Sequence, residues 1–290
     1  MKMNQKQYPT KFSPQHQNKQ PGIEKEMTPI PISDDQDYQP SGKLKDKVAI
    51  ITGGDSGIGK AVAILFAKEG ASVFIPYYDE DTDANETKEK IEGLGGKCEI
   101  LKCDIRTEDV CKQIVQKTIE SFGQVNILVN NAAVQFPQKN LEDITEEQLK
   151  RTFETNIYPL FFLTKACLPH MKQGDSVINT ASVTAYAGHD QLLDYSSTKG
   201  AIVTFTRSLS ANLAQKGIRV NGVAPGPIWT PLIPASFDEQ KVGKFGVDTP
   251  LKRAGQPVEV APAYLYLASN ESSYVTGQII HVNGGVIVNG

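Results

Sequence analysis

The most constraining stretch of this chain is Thr52-Gly53-Gly54-Asp55-Ser56-Gly57-Ile58-Gly59. It follows a short apolar run at residues 48–51. It precedes a segment with apolar residues at helical spacing, Val62, Leu65 and Phe66. Glycines at a strand-to-helix turn let the backbone come close to a pyrophosphate. The helix that follows offers unpaired N–H groups and the positive end of its dipole to an anion. The spacing is G-x-x-x-G-x-G rather than the commoner G-x-G-x-x-G, and a glycine trio alone signals no more than a tight turn. Its place after the first strand of a strand–helix–strand pattern points to dinucleotide binding.

The same alternation runs on. Residues 72–75, 98–101, 126–129, 176–179, 219–223 and 278–282 read as strands, with Pro76 stopping the second. Residues 60–68, 80–94, 108–122, 146–157, 160–171, 195–215 and 257–268 read as helices. This predicts an α/β fold of Rossmann type. One doubly wound parallel sheet of about seven strands would carry helices on both faces through right-handed crossovers. Two irregular stretches, residues 132–143 and 225–249, are expected to carry function.

A domain of residues 43–290 follows from this pattern, preceded by an extended arm of residues 1–42. The first forty residues hold six of the seventeen prolines and seven glutamines, but no Leu, Val or Ala. Such a stretch cannot build its own core. Either it is a solvated tail, or it docks on its own domain or a neighbouring subunit through Tyr8, Phe12, Ile23, Met27, Ile30, Ile32 and Tyr38.

With 39% apolar residues in 290, the rest of the chain can form a sizeable core. A net charge of −3 gives no reason to expect nucleic acid or a basic membrane patch. No run is apolar enough to span a bilayer, and the N-terminus lacks a signal-peptide apolar region. Cys98, Cys103, Cys111 and Cys167 lack metal-site spacing and read as reduced thiols of a cytoplasmic protein.

In many dinucleotide folds an acid at the end of the second strand grips the adenosine ribose and selects NAD over NADP. Tyr77 and Tyr78 take that place here, with Asp79 and Glu80 just beyond. No Arg or Lys stands in the glycine turn or beside Tyr77, and Asp55 would repel a 2′-phosphate. The local sequence therefore favours NAD, with NADP as the alternative.

The chemical signal is Tyr195-Ser-Ser-Thr-Lys199. Spacing i,i+4 sets both side chains on one helical face. A nearby ammonium is expected to lower the phenol pKa toward a working range for acid–base catalysis. Read alone, the pair is better explained by a surface Tyr and Lys one turn apart. The fifth strand ends Asn179-Thr-Ala-Ser182, placing a hydroxyl at the carboxyl edge where open α/β sheets bind ligands. Asn156 is a mid-helix amide in an apolar segment, explained equally well by packing.

Taken together these residues resemble the short-chain dehydrogenase/reductase family, over roughly residues 43–290. Four motifs carry the likeness in order: the Thr52 to Gly59 turn, Asn130-Asn131-Ala132-Ala133, Ser182, and Tyr195-x-x-x-Lys199. The resemblance implies Tyr195 as acid/base, Ser182 as the residue that orients substrate, and Lys199 on the nicotinamide ribose. It makes Asn156 the holder of a proton-relay water. It places Gly53, Asp55, Ser56, Gly57, Ile58 and Gly59, Tyr77 and Tyr78, Asp104 and Ile105, and Asn131, Ala132 and Ala133 against the coenzyme. Pro225 and Gly226 open the loop over the nicotinamide, and Ile228 and Thr230 meet its carboxamide. Ala133 departs from the family's usual glycine, and Tyr77 and Tyr78 replace its usual Asp or basic signature at the second strand end. A looser likeness is to a bacterial branch of general-stress and glucose/ribitol-type dehydrogenases. The family is usually homotetrameric.

The implied activity is hydride transfer between a nicotinamide coenzyme and a carbonyl or secondary alcohol. The alternatives are a 3-oxoacyl thioester reductase and, from another class, a non-catalytic NAD(P)-binding regulator. Substrate is expected near residues 132–138, 187–192 and 228–249. Trp229 suits packing or stacking on substrate, and His189 reads as a solvated loop residue.

Overall fold

The computed structural model describes residues 7–286. The first six residues of the N-terminal stretch and the last four of the chain lie outside the described residues. A single sheet of seven strands holds the molecule together: β1 (Val48–Ile51), β2 (Ser72–Tyr77), β3 (Lys97–Lys102), β4 (Ile127–Asn130), β5 (Ser176–Thr180), β6 (Arg219–Pro225) and β7 (Ile279–Val282). Their order is β3-β2-β1-β4-β5-β6-β7, every pair parallel. The strands of such a sheet are covered on both faces, which explains why β1, β4, β5 and β6 are buried from end to end.

The helices are α1 (Gly57–Lys68), α2 (Asp81–Gly93), α3 (Glu108–Phe122), α4 (Glu146–Asn156), α5 (Tyr158–Cys167), α6 (Thr184–Ala187), α7 (Leu193–Leu213), α8 (Glu239–Gly243) and α9 (Pro257–Ala268). One core joins α1 and α9 to the sheet through Val62, Phe66, Ile75, Val260 and Tyr264. The other joins α3, α5 and α7 through Ile114, Leu163, Val177 and Leu213. Local chemistry sets the helix ends. The Thr145 hydroxyl accepts from Gln148 N–H at the start of α4. Gly123, at φ 78°, closes α3 in a conformation that side-chain-bearing residues resist.

Strand β2 does not stop at Pro76 but runs to Tyr77. The Pro76 carbonyl faces the β1 side, where it accepts from Gly53 N–H at 3.0 Å. At that level β1 has already turned away, so no ladder partner misses the N–H that proline lacks. The order of the strands reverses at β1, flanked by β2 and β4, and their carboxyl ends open a crevice there.

Residues 7–42 contain one short 3-10 turn, Glu24–Glu26, and pack against the domain that follows. Phe12 stacks on Trp229 with ring centroids 3.7 Å apart and planes 6° from parallel. Met27 is buried in the same cluster, and the Tyr38 hydroxyl donates to Glu69. Ile30 is not an anchor: it is 50% exposed. Trp229 is fully buried, and its indole N–H donates to the Pro29 carbonyl at 2.8 Å. Its role is therefore packing against the N-terminal segment.

Candidate active site

A cavity of about 520 Å³ runs along the carboxyl ends of the strands. It passes from Tyr77, Tyr78, Asp104, Ile105 and Arg106, past the glycine turn, to Ser182, Tyr195 and Lys199. This volume suits a small-molecule site. Gly53, Asp55, Ser56, Gly57, Ile58, Asn131, Ala132, Ala133, Pro225, Gly226, Ile228 and Thr230 all line it, as expected. Gly59 does not. It lies behind the turn, where an added Cβ would sit 2.0 Å from the Gly53 carbonyl oxygen.

The turn is fixed from beneath. The Thr52 hydroxyl accepts from the N–H groups of Asn131 and Ala132, at 2.9 and 3.0 Å. The Asn131 amide donates back to the carbonyls of Thr52 and Gly53. Gly53 and Gly57 have φ of 63° and 52°, which a Cβ would disfavour. The cradle is thus tight, glycine-lined and placed at a helix N-terminus, and it fits a dinucleotide pyrophosphate.

At the far end, Lys199 is buried and donates to the Thr180 carbonyl at 2.8 Å. Its Nζ stands 5.3 Å from the centre of the Tyr195 ring. Ser182 stands beside the Tyr195 hydroxyl, near enough to draw its pKa downward. The Ser182 hydroxyl accepts from the Thr184 N–H and hydroxyl, each at 3.1 Å. Periodicity missed Asp194, whose buried carboxylate fixes the start of α7. It accepts from Thr152 Oγ1 at 2.7 Å, Gln148 Nε2 at 3.0 Å and Tyr195 N–H at 2.8 Å.

Asn156 does not sit mid-helix; it ends α4 just before the break to α5. Its amide donates to the Val134 carbonyl at 2.9 Å and to Thr198 Oγ1 at 3.2 Å, and accepts from Val134 N–H at 2.9 Å. Both amide N–H groups are taken by protein, so the side chain ties two cavity walls together. His189 is an exposed loop residue, as expected, at the rim of the cavity.

Electrostatics correct a further expectation. Burial pushes the Tyr195 phenol up to about 12, the Ser182 contact pulling only weakly the other way. Burial likewise brings the Lys199 ammonium down to about 7. Desolvation favours the neutral form of each group and outweighs the stabilisation that one was expected to lend the other. Lysine so held couples stability to pH. Between about 7 and its ordinary range the unfolded chain binds the extra proton, so stability rises with pH there. Lys199→Met keeps the stem and removes the buried cation, at the cost of one donor to Thr180. It is expected to melt about 5 °C above wild type near pH 6, the gap shrinking by about pH 9.5. A gap unchanged with pH in calorimetric scans would contradict this assignment.

At the other end, Asp55 is buried beneath the turn, and burial with Glu80 nearby raises its carboxyl to about 7. Asp104 is held by Arg106, whose Nη2 lies 2.6 Å from it. Lys19 and Lys102 reach Asp79 at 2.6 and 3.4 Å. The carboxylates expected to repel a 2′-phosphate are therefore largely neutralised or paired. Burial pushes the Cys98, Cys103 and Cys111 thiols up to about 12, which suits inert packing.

Fold and site together define a nicotinamide-dependent oxidoreductase. Residues 53–287 match the family model described as enoyl-(acyl carrier protein) reductase. The chain is 53% identical to general stress protein 39 of Bacillus subtilis, over 97% of this chain and 98% of the relative. It is 54% identical to NADPH-dependent aldehyde reductase 1 of Arabidopsis thaliana, over 95% and 98%. A solved short-chain dehydrogenase/reductase of Brucella melitensis, described as glucose/ribitol dehydrogenase, superposes with a TM-score of 0.76. It is 34% identical and covers 85% of this chain and 99% of its own. The chain belongs to the short-chain dehydrogenase/reductase family, in its glucose/ribitol dehydrogenase-like branch. It is an NAD(P)-dependent oxidoreductase of carbonyl and alcohol groups.

Proposed function

We propose that this enzyme reduces aldehydes and ketones, and runs the reverse oxidation, with Tyr195 as proton donor and acceptor. The observation that carries this reading is the meeting of Ser182, Tyr195 and Lys199 in one cavity with the glycine turn. Ser182 holds the substrate oxygen beside the Tyr195 hydroxyl. A phenol kept neutral by burial is a ready proton donor to an oxygen that gains negative charge. Lys199, poised near neutrality, re-supplies that proton and grips the nicotinamide ribose. Asn156 and Asp194 act as positioning residues. When bound, the nicotinamide supplies or takes up the hydride at ring carbon C4.

The glycine cradle, with Tyr77, Tyr78, Asp104 and Ile105 at the adenosine end, holds either coenzyme. The neutralised acids and the NADPH-dependent relative support NADP(H) at least as strongly as NAD(H). Leu192, Ile233, Phe237 and Phe245 line the substrate end and support carbonyl compounds with a hydrophobic substituent. Tyr158 and Phe161 stay 45% and 52% exposed on α5. They support a homotetramer that buries them. Four free thiols support a reducing, cytoplasmic setting.

The test is a panel of aldehydes, ketones, sugars, polyols and acetoacetyl thioesters with NAD(H) and NADP(H), followed at the reduced-nicotinamide absorbance. Aldehydes are expected to give the highest kcat/KM. Preference for the thioesters would favour an acyl reductase instead, and coenzyme binding without any turnover would favour a sensor.

A further inference from the structure

The cavity is not walled by the Rossmann core alone. Pro21 and Gly22 of the N-terminal segment also line it, and neighbouring residues tie that segment to both of its banks. On one bank, Lys19 pairs with Asp79 at 2.6 Å, just past β2. On the same bank the buried Glu24 carboxylate accepts from Gly57 N–H at 2.7 Å, inside the dinucleotide turn. It also pairs with Lys60 at 2.8 Å, and Glu24 N–H donates to Asp83 at 2.6 Å.

On the other bank, Gln20 grips the backbone of Gln135, after β4. Its side-chain oxygen accepts from Gln135 N–H at 3.1 Å and its amide donates to the Gln135 carbonyl. The fit against the loop after β6 is close. A Cβ on Gly22 would lie 2.5 Å from the Pro231 carbonyl oxygen and 3.0 Å from Ala235 Cβ. Gln17 N–H donates to the Pro234 carbonyl at 2.8 Å.

We propose that residues 19–24 are part of the coenzyme site: a strap, supplied by the N-terminal segment, that bridges the two banks of the cleft and slows release of the bound dinucleotide. The idea rests on the dinucleotide reading of the cavity and goes beyond it by assigning a binding role to residues outside the family's sheet-and-helix unit. A surface already seated across the cleft adds contact without new ordering at the moment of binding. Its loss is therefore read chiefly in the dissociation rate.

The experiment uses the full chain and compares wild type with Gln20→Ala, Gly22→Val and, as a control on the same segment away from the cavity, Tyr38→Phe. NADPH affinity is measured by fluorescence titration, release by stopped-flow displacement, and folding by thermal melting. Gln20→Ala and Gly22→Val are expected to raise Kd about tenfold, mostly through faster release, while Tyr38→Phe leaves it unchanged. Should Gly22→Val fail to fold, Gln20→Ala decides. A folded Gln20→Ala variant with wild-type affinity and release overturns the strap. Wild type that binds neither NADPH nor NADH overturns the redox reading beneath it, a separate and visible outcome.

Discussion

Tyr195→Phe is expected to lower kcat about 10²–10⁴-fold while NADPH still binds as tightly as to wild type. The substitution removes only the hydroxyl. The ring stays against Lys199, whose Nζ lies 5.3 Å from its centre, and α7 keeps its Asp194 anchor. Ser182 retains its donors from Thr184. Any loss of rate therefore reports the missing proton and not a rearranged cavity. Steady-state kinetics with the preferred carbonyl and a fluorescence titration check both halves. A variant that turned over like wild type would move the acid/base role to another group.

The second large effect is expected at Gly59. In Gly59→Ala the new methyl would meet backbone, 2.0 Å from the Gly53 oxygen and 2.7 Å from its carbonyl carbon, with Asn131 Nδ2 at 2.8 Å. Backbone cannot step aside as a flexible side chain does. The first turn of α1 must lift off the glycine loop, distorting the cradle. A stability loss of about 2–3 kcal/mol is expected, as for overpacked cores. NAD(P)H affinity should fall at least about tenfold with it, because the donors are no longer preorganised. Gly93→Ala, where an added Cβ meets nothing within 4 Å, supplies the contrast and should be neutral to slightly stabilising. Denaturant melts and titrations of both variants settle the point. Equal behaviour would mean that the turn tolerates a side chain.

Much of this was legible in the residues because the relevant signals are local. Apolar runs such as Val48–Ile51 are buried on both sides, and the motifs fall at strand ends where topology alone brings them together. What local pattern could not carry was contact over long separation. Nothing in periodicity pairs Phe12 with Trp229, or Gln20 with Gln135. Glu24 reads as one more charge in a polar stretch until its carboxylate is found on Gly57. Asn156 looked like an isolated amide because its partners lie on another loop and another helix. The direction of the Tyr195 and Lys199 shifts also escaped. Spacing shows that an ammonium is near a phenol, but only the packed structure shows how thoroughly water is removed from both.

The junction between Pro29 and Trp229, 200 residues apart, constrains how the molecule can be made. Made ahead of Trp229, the segment of residues 7–42 finds no indole to rest on until some 200 further residues have been added. Long-range closure of this kind comes late in assembly. A segment made early then settles late, and a nascent chain cut short before Trp229 would leave Phe12 and Met27 bare to other molecules.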